Sequence, residues 1–368
     1  MYGFTPTDEQ KMLIDTVVRY AKNDLRAAGH DAEEEKSLPK KLVGKGWEVG
    51  VLQASVPEAY GGFGERSAVT GVLAAEELAF GDLAGTLAVM TPSLFVTPVL
   101  LAGSEEQKQK WIPPVIEADW TPFTAALIEP SFDFDPNALK TTAVKTGDGY
   151  LLNGVKTYVP YAAEAKTMVV YASLDGATKA FIVEKGASPR SEAERDGVAV
   201  SERIKLMSLN ALPLYTVTLQ NVQVPEANLL AGDFAPILAS MRVANAALAV
   251  GVAKAAFEYS RDYAKERDVF GVKVAQKQAI AFMLAEMAME IEALRLLTWQ
   301  AAWKLDAAKE DAATEAYLAS MGAADMVMMV TDRAVQILGG HGYIRDHPVE
   351  KFMREGRGFA TFTGLAIV

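Results

Sequence analysis

The residues of this 368-residue chain best placed for chemistry stand in two short stretches at helix ends. The first is Arg267, followed by Phe270 and Gly271. An arginine at the end of a long helical pattern, in a turn closed by glycine, offers a planar fork that can hold a pyrophosphate by two parallel hydrogen bonds. The second is Gln336 with Gly339 and Gly340, one amide beside bare backbone, which suits a dinucleotide lying against a helix end. The same residues also fit a surface arginine and a plain helix C-cap, and spacing alone does not choose. Cysteine is absent, which excludes disulfides, thiolate metal sites and cysteine nucleophiles. His30, His341 and His347 are too few and too scattered for a histidine-rich metal site. The formal charge of −11 argues against nucleic acid as the main partner, because that binding depends on basic neutralisation of phosphates. A phosphate-bearing small ligand needs only a local positive pocket.

These residues must be positioned by a chain long enough for two or three domains. Half of it is apolar and 23% charged, a globular composition. The opening MYGFTPTDEQ has neither a basic nor an apolar region of the kind a secretory signal needs, so a cytoplasmic protein is expected. From Leu83 to Gly103 no residue is charged, a length that could span a membrane. Pro92 and Pro98 would disrupt an isolated spanning helix, so a buried helix and loop are expected there.

The hydrophobic period divides the chain in three. Residues 1–120 read as a helical domain, with Thr7 as an N-cap and helices near Lys40–Gly50 and Ala68–Phe80. Residues 121–232 read as a β domain. Its short β-prone runs are Thr141–Thr146, Tyr150–Leu152, Val155–Val159, Met168–Tyr171, Ala180–Val183, Val198–Val200 and Tyr215–Leu219. Gly147-Asp148-Gly149 and Asn153-Gly154 are hairpin signals, and the spacing suggests a small antiparallel barrel or sandwich. Residues 233–368 return to the helical period. Ile280, Leu284, Met287, Ile291, Leu294 and Ala301 share one face, and a helix is expected to end at Leu338. An α+β chain is predicted, with a C-terminal four-helix bundle.

That order, together with four motifs, resembles the acyl-CoA dehydrogenase family over essentially the whole chain. The motifs are Ala75-Glu76-Glu77-Leu78-Ala79 with Asp82, and Gly103-Ser104-Glu105-Glu106-Gln107-Lys108. They continue with Ala264-Lys265-Glu266-Arg267-Asp268-Val269-Phe270-Gly271, and with Ala334 to Tyr343 followed by Pro348-Val349-Glu350 and Arg354. The resemblance implies an FAD flavoprotein that takes a proton and a hydride from adjacent carbons of an acyl-CoA thioester. It also implies a flavin shared across a subunit interface, hence a homotetramer or homodimer, with an electron-transfer flavoprotein as an acceptor. In the family's terms Ile128, Tyr158, Arg267, Phe270, Gln336, Gly339 and Gly340 are the cofactor-binding positions, and Phe134, Met241, Phe362 and Gly364 border the substrate.

The chain departs from the family where the proton is removed. The commonest base is a Glu near the C-terminus, before Gly and Thr or Ser; counting from Arg354, that place falls at Thr363. A minority of members carry the Glu on the first bundle helix just before an arginine, here Met241 before Arg242. A threonine hydroxyl cannot accept a proton at neutral pH as a carboxylate does. Asp133 is the one unmatched acid in the neighbouring loop, either a replacement base or a solvated turn residue. In that loop Phe132 and Phe134 replace a small glycine-rich turn, and they either narrow the cleft or pack into the β domain. Ile128 and Pro160 stand where hydroxyl side chains usually meet the flavin, although Tyr158 can still stack on it. Two functions fit: a flavoenzyme with altered or impaired dehydrogenation, or a non-catalytic subunit paired with a glutamate-bearing paralogue.

Overall fold

The protein is described by a computed structural model covering residues 5–186, 197–359 and 363–368. Helix α1 (Asp8–Tyr20) starts at a capping box, with the Thr7 hydroxyl accepting from the Gln10 N–H at 3.2 Å and the Gln10 amide oxygen accepting from the Thr7 N–H at 2.9 Å. It continues through a π turn (Ala21–Leu25) into α2 (Arg26–Glu35), and α3 (Lys40–Glu48) follows. Helix α4 (Ala68–Gly81) is apolar on nearly every side because it runs through the core and packs on the bundle.

The uncharged span folds as two buried helices, α5 (Leu83–Met90) and α6 (Ser93–Ala102), bent by 48° at Thr91-Pro92. Helices α7 (Glu105–Trp111) and α8 (Pro113–Ile116) lead to the sheet. Among the described residues one single helix is long and apolar enough to cross a membrane, Phe234–Glu266, and 83% of its most apolar window is buried in the protein.

The sheet contains β1 (Thr124–Ala126), β2 (Thr142–Thr146), β3 (Gly149–Pro160), β4 (Thr167–Leu174), β5 (Ala177–Glu184), β6 (Val198–Val200), β7 (Leu214–Pro225) and β8 (Leu229–Leu230). Its order is β6-β7-β3-β2-β4-β5-β8, with β1 beside β4. Two sequence expectations are corrected. Asn153-Gly154 makes no hairpin: β3 runs straight through it, with a register shift between Leu152 and Gly154. Gly154 sits at φ +153, and an added Cβ would strike Thr141, so the glycine serves a bulge. The sheet is also not wholly antiparallel, because β1 and β4 pair in parallel, as do Thr142 and Ser173 of β2 and β4.

The third region holds α9 (Phe234–Glu266), α10 (Gln278–Asp306), α11 (Ala312–Leu338) and a short α12 (Val349–Gly358). A small hairpin, β9 (Asp268–Val269) and β10 (Val272–Lys273), caps the α9 end.

Two buried ionic clusters tie these layers together. In the first, the Glu129 carboxylate accepts hydrogen bonds from the Lys140 N–H at 2.7 Å, the Thr141 N–H at 2.8 Å and Lys156 Nζ at 2.9 Å. Lys156 Nζ also donates to the Leu127 carbonyl at 3.1 Å, and its side chain has no exposed surface. Burial pulls the Lys156 ammonium down to about 8 even beside Glu129. In the second cluster, Lys351 pairs with Asp82, lies 3.5 Å from Glu355 and donates to the Gly29 carbonyl at 3.1 Å. Beside it Arg354 bonds Glu33 and Glu350, each at 2.8 Å. The last helix is thereby fastened to α2 and to the start of α5.

Both clusters have measurable consequences. Removing one partner of a buried ion pair strands the other charge, so Lys156→Met should cost about 3–5 kcal/mol in denaturant unfolding. A loss below about 1 kcal/mol would show that the pair is dispensable. Burial pushes the Glu355 carboxyl up to about 7, against the pull of Lys351 and with added repulsion from Asp82 and Glu33. The folded protein then holds a proton that the unfolded chain releases. That contribution is full below the ordinary glutamate value and is lost as pH rises through about 7. The melting temperature of the natural chain should therefore fall relative to Glu355→Gln between about pH 5 and about pH 8. Parallel curves would show that Glu355 does not titrate in this window.

Candidate active site

The β-domain half of the site is built on the end of β1 and on β3. The Thr157 N–H donates to the Ile128 carbonyl at 2.8 Å, joining the two segments beyond the Lys156–Glu129 pair. The register of β3 shifts again between Lys156 and Val159, and Tyr158 sits there at φ +54. A bulky residue in the left-handed region is uncommon and re-aims its side chain, here onto the large core shared with the helices. Ile128 is buried in the same core and brings no hydroxyl. Pro160 pairs with Leu214 at the strand's end and brings none either. One polar group here escaped the sequence reading. Trp120 packs edge-on against Tyr161 with 5.1 Å between ring centroids, and its indole N–H is buried without a hydrogen-bond partner among the described residues. A lone tryptophan outside any motif gave no signal; only its surroundings mark it as an available donor.

The loop that follows is pinned from below. Lys140 donates to Ser131 Oγ at 2.7 Å and to Asp133 Oδ1 at 2.9 Å, and Ser131 bonds Asp133 as well. Asp133 has 77% of its side chain exposed. The hydrogen bonds from Lys140 and Ser131 hold its carboxyl down at about 2. Asp133 is thus an exposed carboxylate paired with Lys140 on this loop. The two phenyl rings divide: Phe132 is fully exposed, while Phe134 packs against both large cores.

The helical side contributes Met241, Arg242 and the C-terminal segment. Met241 has no exposed surface and packs in the same core as Phe95, Val99 and Ile237. Arg242, half-buried, stacks on the Tyr317 ring at 4.9 Å, and its guanidinium has no hydrogen bond or ion pair among the described residues. Burial lowers its pKa, opposed by Tyr317 and Asp135. Thr363 is half-buried, and Gly364 after it adopts φ +100, where an added Cβ would lie 3.0 Å from the Leu127 side chain. Leu365, Ala366 and Ile367 are buried, and Arg66 ties this segment down by donating to the Val368 carbonyl at 3.0 Å and to Ser240 Oγ at 2.6 Å. Asn245 of α9 donates to the Phe359 carbonyl at 3.0 Å, just before the segment. Phe362 lies outside the described residues.

The remaining positions meet at one end of the bundle. Arg267 is the exposed C-cap of α9, with no side-chain hydrogen bond or ion pair among the described residues. Phe270 is 93% exposed and, with Gly271, forms a two-residue turn at φ +54 and +79. A phenylalanine held in that conformation is strained, and its largely exposed ring has the Lys277 ammonium over it at 5.8 Å from the centroid. Gln336, Gly339 and Gly340 are exposed at the end of α11. A Cβ on Gly339 would meet nothing within 4 Å, and one on Gly340 only the Tyr343 hydroxyl at 3.8 Å, so both backbones face open space. Tyr263 joins the two turns through a 2.9 Å hydrogen bond to His341. An unpaired guanidinium, an exposed ring and bare backbone at one place fit a dinucleotide's diphosphate. His341 and His347, scattered in sequence, stack here with 5.2 Å between centroids. Among the described residues no group of three or more His, Cys, Asp or Glu side chains could hold a metal ion.

Comparison with known proteins accounts for the whole chain. Family models for the acyl-CoA dehydrogenase N-terminal, middle and C-terminal domains match residues 7–119, 124–222 and 235–366. The acyl-CoA dehydrogenase of Bacillus subtilis is 34% identical over 363 residues, 95% of this chain and 93% of the relative. A caffeyl-CoA reductase–Etf complex subunit from Acetobacterium woodii is 32% identical, covering 98% of this chain and 96% of its own. The solved structure of butyryl-CoA dehydrogenase from Megasphaera elsdenii superposes with a TM-score of 0.87 at 30% identity, over 99% of this chain and 96% of that one. With all three domains matched in order on the fold just described, this chain belongs to the acyl-CoA dehydrogenase family.

Proposed function

We propose that this chain is an FAD flavoprotein that binds an acyl-CoA thioester and in which ordinary α,β-dehydrogenation is impaired. The observation that carries the reading is the neutrality of both base positions. Thr363 is half-buried and Met241 fully buried, and neither bears a carboxylate. The nearest unmatched acid, Asp133, is solvated and ion-paired.

The cofactor of the family is FAD, and the chain's residues fit it in two halves. Arg267, Phe270, Gln336, Gly339 and Gly340 would hold the diphosphate end at an interface between subunits. Tyr158, with Ile128 and the orphaned Trp120 N–H, would border the ring. When bound, the flavin supplies the hydride acceptor. The protein would supply orientation and dryness: Phe134, Met241 and Gly364 would border the acyl group, and the buried core around Phe95 and Val99 would exclude water. What it does not supply is a group to take the α-proton.

Assembly as a homotetramer or homodimer is supported by the bundle surface. Phe282, Met289 and Leu296 of α10 are exposed at 61%, 63% and 40%, and Leu318 and Met321 of α11 at 50% each. Large apolar side chains in such number mark an interaction face. A glutamate-bearing paralogue on that face would make the chain a non-catalytic subunit. An electron-transfer flavoprotein as acceptor fits the same family reading, since one relative is a subunit of a complex with such a protein.

Thr363→Glu restores a carboxylate where the fold normally places it. Flavin bleaching by an anaerobic panel of acyl-CoA esters should then accelerate by about 10²–10⁴-fold over the natural chain. No gain would show that the missing base is not what limits the site. Asp133→Asn should change the bleaching rate by less than about two-fold, and a loss of about 10²-fold would reinstate Asp133 as the base. Co-purification with a glutamate-bearing paralogue, together with no bleaching in isolation, would favour the non-catalytic subunit.

A further inference from the structure

We propose that His341 and His347 form, with Tyr263 and Tyr259, a latch that sets the Gly339–Gly340 turn against the Arg267 turn. They are thus positioning residues for the diphosphate of FAD. The proposal rests on the reading that these two turns hold the cofactor, and it goes beyond that reading in naming what holds the turns in register.

The geometry is direct. Tyr259 and Tyr263 lie four residues apart on α9 and therefore on one face. The Tyr263 hydroxyl and His341 Nδ1 share a hydrogen bond of 2.9 Å, and the Tyr259 hydroxyl and His347 Nδ1 one of 2.7 Å. The imidazoles stack on each other at 5.2 Å with 14° between planes, and each meets the Tyr263 ring edge-on at 5.8 and 5.7 Å. The Tyr263 carbonyl accepts the Arg267 N–H at 2.9 Å. One tyrosine thus touches both turns, through its backbone and through its hydroxyl.

The turn needs such a fastening. Gly339 and Gly340 present no side chain, and nothing crowds their open side. Gly342 rests on the Val335 backbone, where a Cβ would lie 2.2 Å from the carbonyl oxygen, so α11 gives the turn a floor. His341 gives it a lateral tie to α9. A diphosphate gripped from two turns at once tolerates little misplacement between them.

The test follows flavin retention in the full-length, FAD-loaded protein, read as released flavin fluorescence on dilution, alongside the melting temperature. Tyr263→Phe and His341→Phe should each weaken FAD retention about five-fold, the size of one net hydrogen bond. The double variant should be no weaker than either single, and His341→Asn, which keeps an acceptor near the Nδ1 position, should restore retention to within about two-fold. Arg267→Ala tests the underlying reading. If it loosens FAD while Tyr263→Phe and His341→Phe retain it normally, the latch is overturned and the cofactor site stands. If Arg267→Ala leaves retention unchanged, the site reading falls and the latch's role falls with it. A lowered melting temperature without a change in FAD retention also overturns the proposal. Should His341→Phe fail to fold, Tyr263→Phe, which deletes a single hydroxyl, decides the matter alone.

Discussion

Lys156 and Glu129 lose all contact with water, or nearly so, and the candidate site is assembled around that fact. Desolvating two charges is costly, and the geometry offsets it by giving Glu129 three donors and Lys156 two acceptors. The atoms involved flank Ile128, just past the end of β1, and lead into Tyr158 on β3. The pair therefore sets the spacing between the end of β1 and the bulge of β3. Leu127, whose carbonyl Lys156 holds, is also the residue against which Gly364 packs. The position of Thr363 thus depends on an ion pair in another domain.

The second organising feature is the division of the candidate cofactor positions between two places. Ile128 and Tyr158 belong to the β domain and lie on the core. Arg267, Phe270, Gln336, Gly339 and Gly340 gather at the exposed end of the bundle. A chain that leaves a guanidinium unpaired, a phenyl ring in solvent and two glycines uncovered in one spot leaves free energy to be gained there by a ligand or a second subunit. The same bundle presents apolar side chains along α10 and α11.

The candidate base and flavin-contact positions share one character: Thr363, Met241, Ile128 and Pro160 are all neutral. The scaffold around them keeps its costly elements: Asp82 still caps α5 and pairs with Lys351, Glu76 bonds Arg295 at 2.8 Å, and Glu77 bonds Lys254 at 2.5 Å. Buried charges of this sort destabilise when one partner is lost.

The sequence by itself determined the element types, because helical and strand periods are local properties, and it determined the motif positions at the two helix ends. It singled out Thr363 and Met241 as candidate positions, since residue identity and spacing from Arg354 and Arg242 are local facts. The reading failed at Asn153-Gly154, where a strong turn signal serves a bulge, because pairing across β7 and the closeness of Thr141 outweigh local turn preference. Only the tertiary structure decided that Asp133 is a solvated ion-pair partner, that Phe132 and Phe134 part company, and that His341 and His347 stack. Each of these depends on which distant segments come within a few ångströms. Burial, hydrogen-bond partnership and the cost of an unpaired charge are properties of those encounters, and residue spacing along the chain does not encode them in a form that can be read locally.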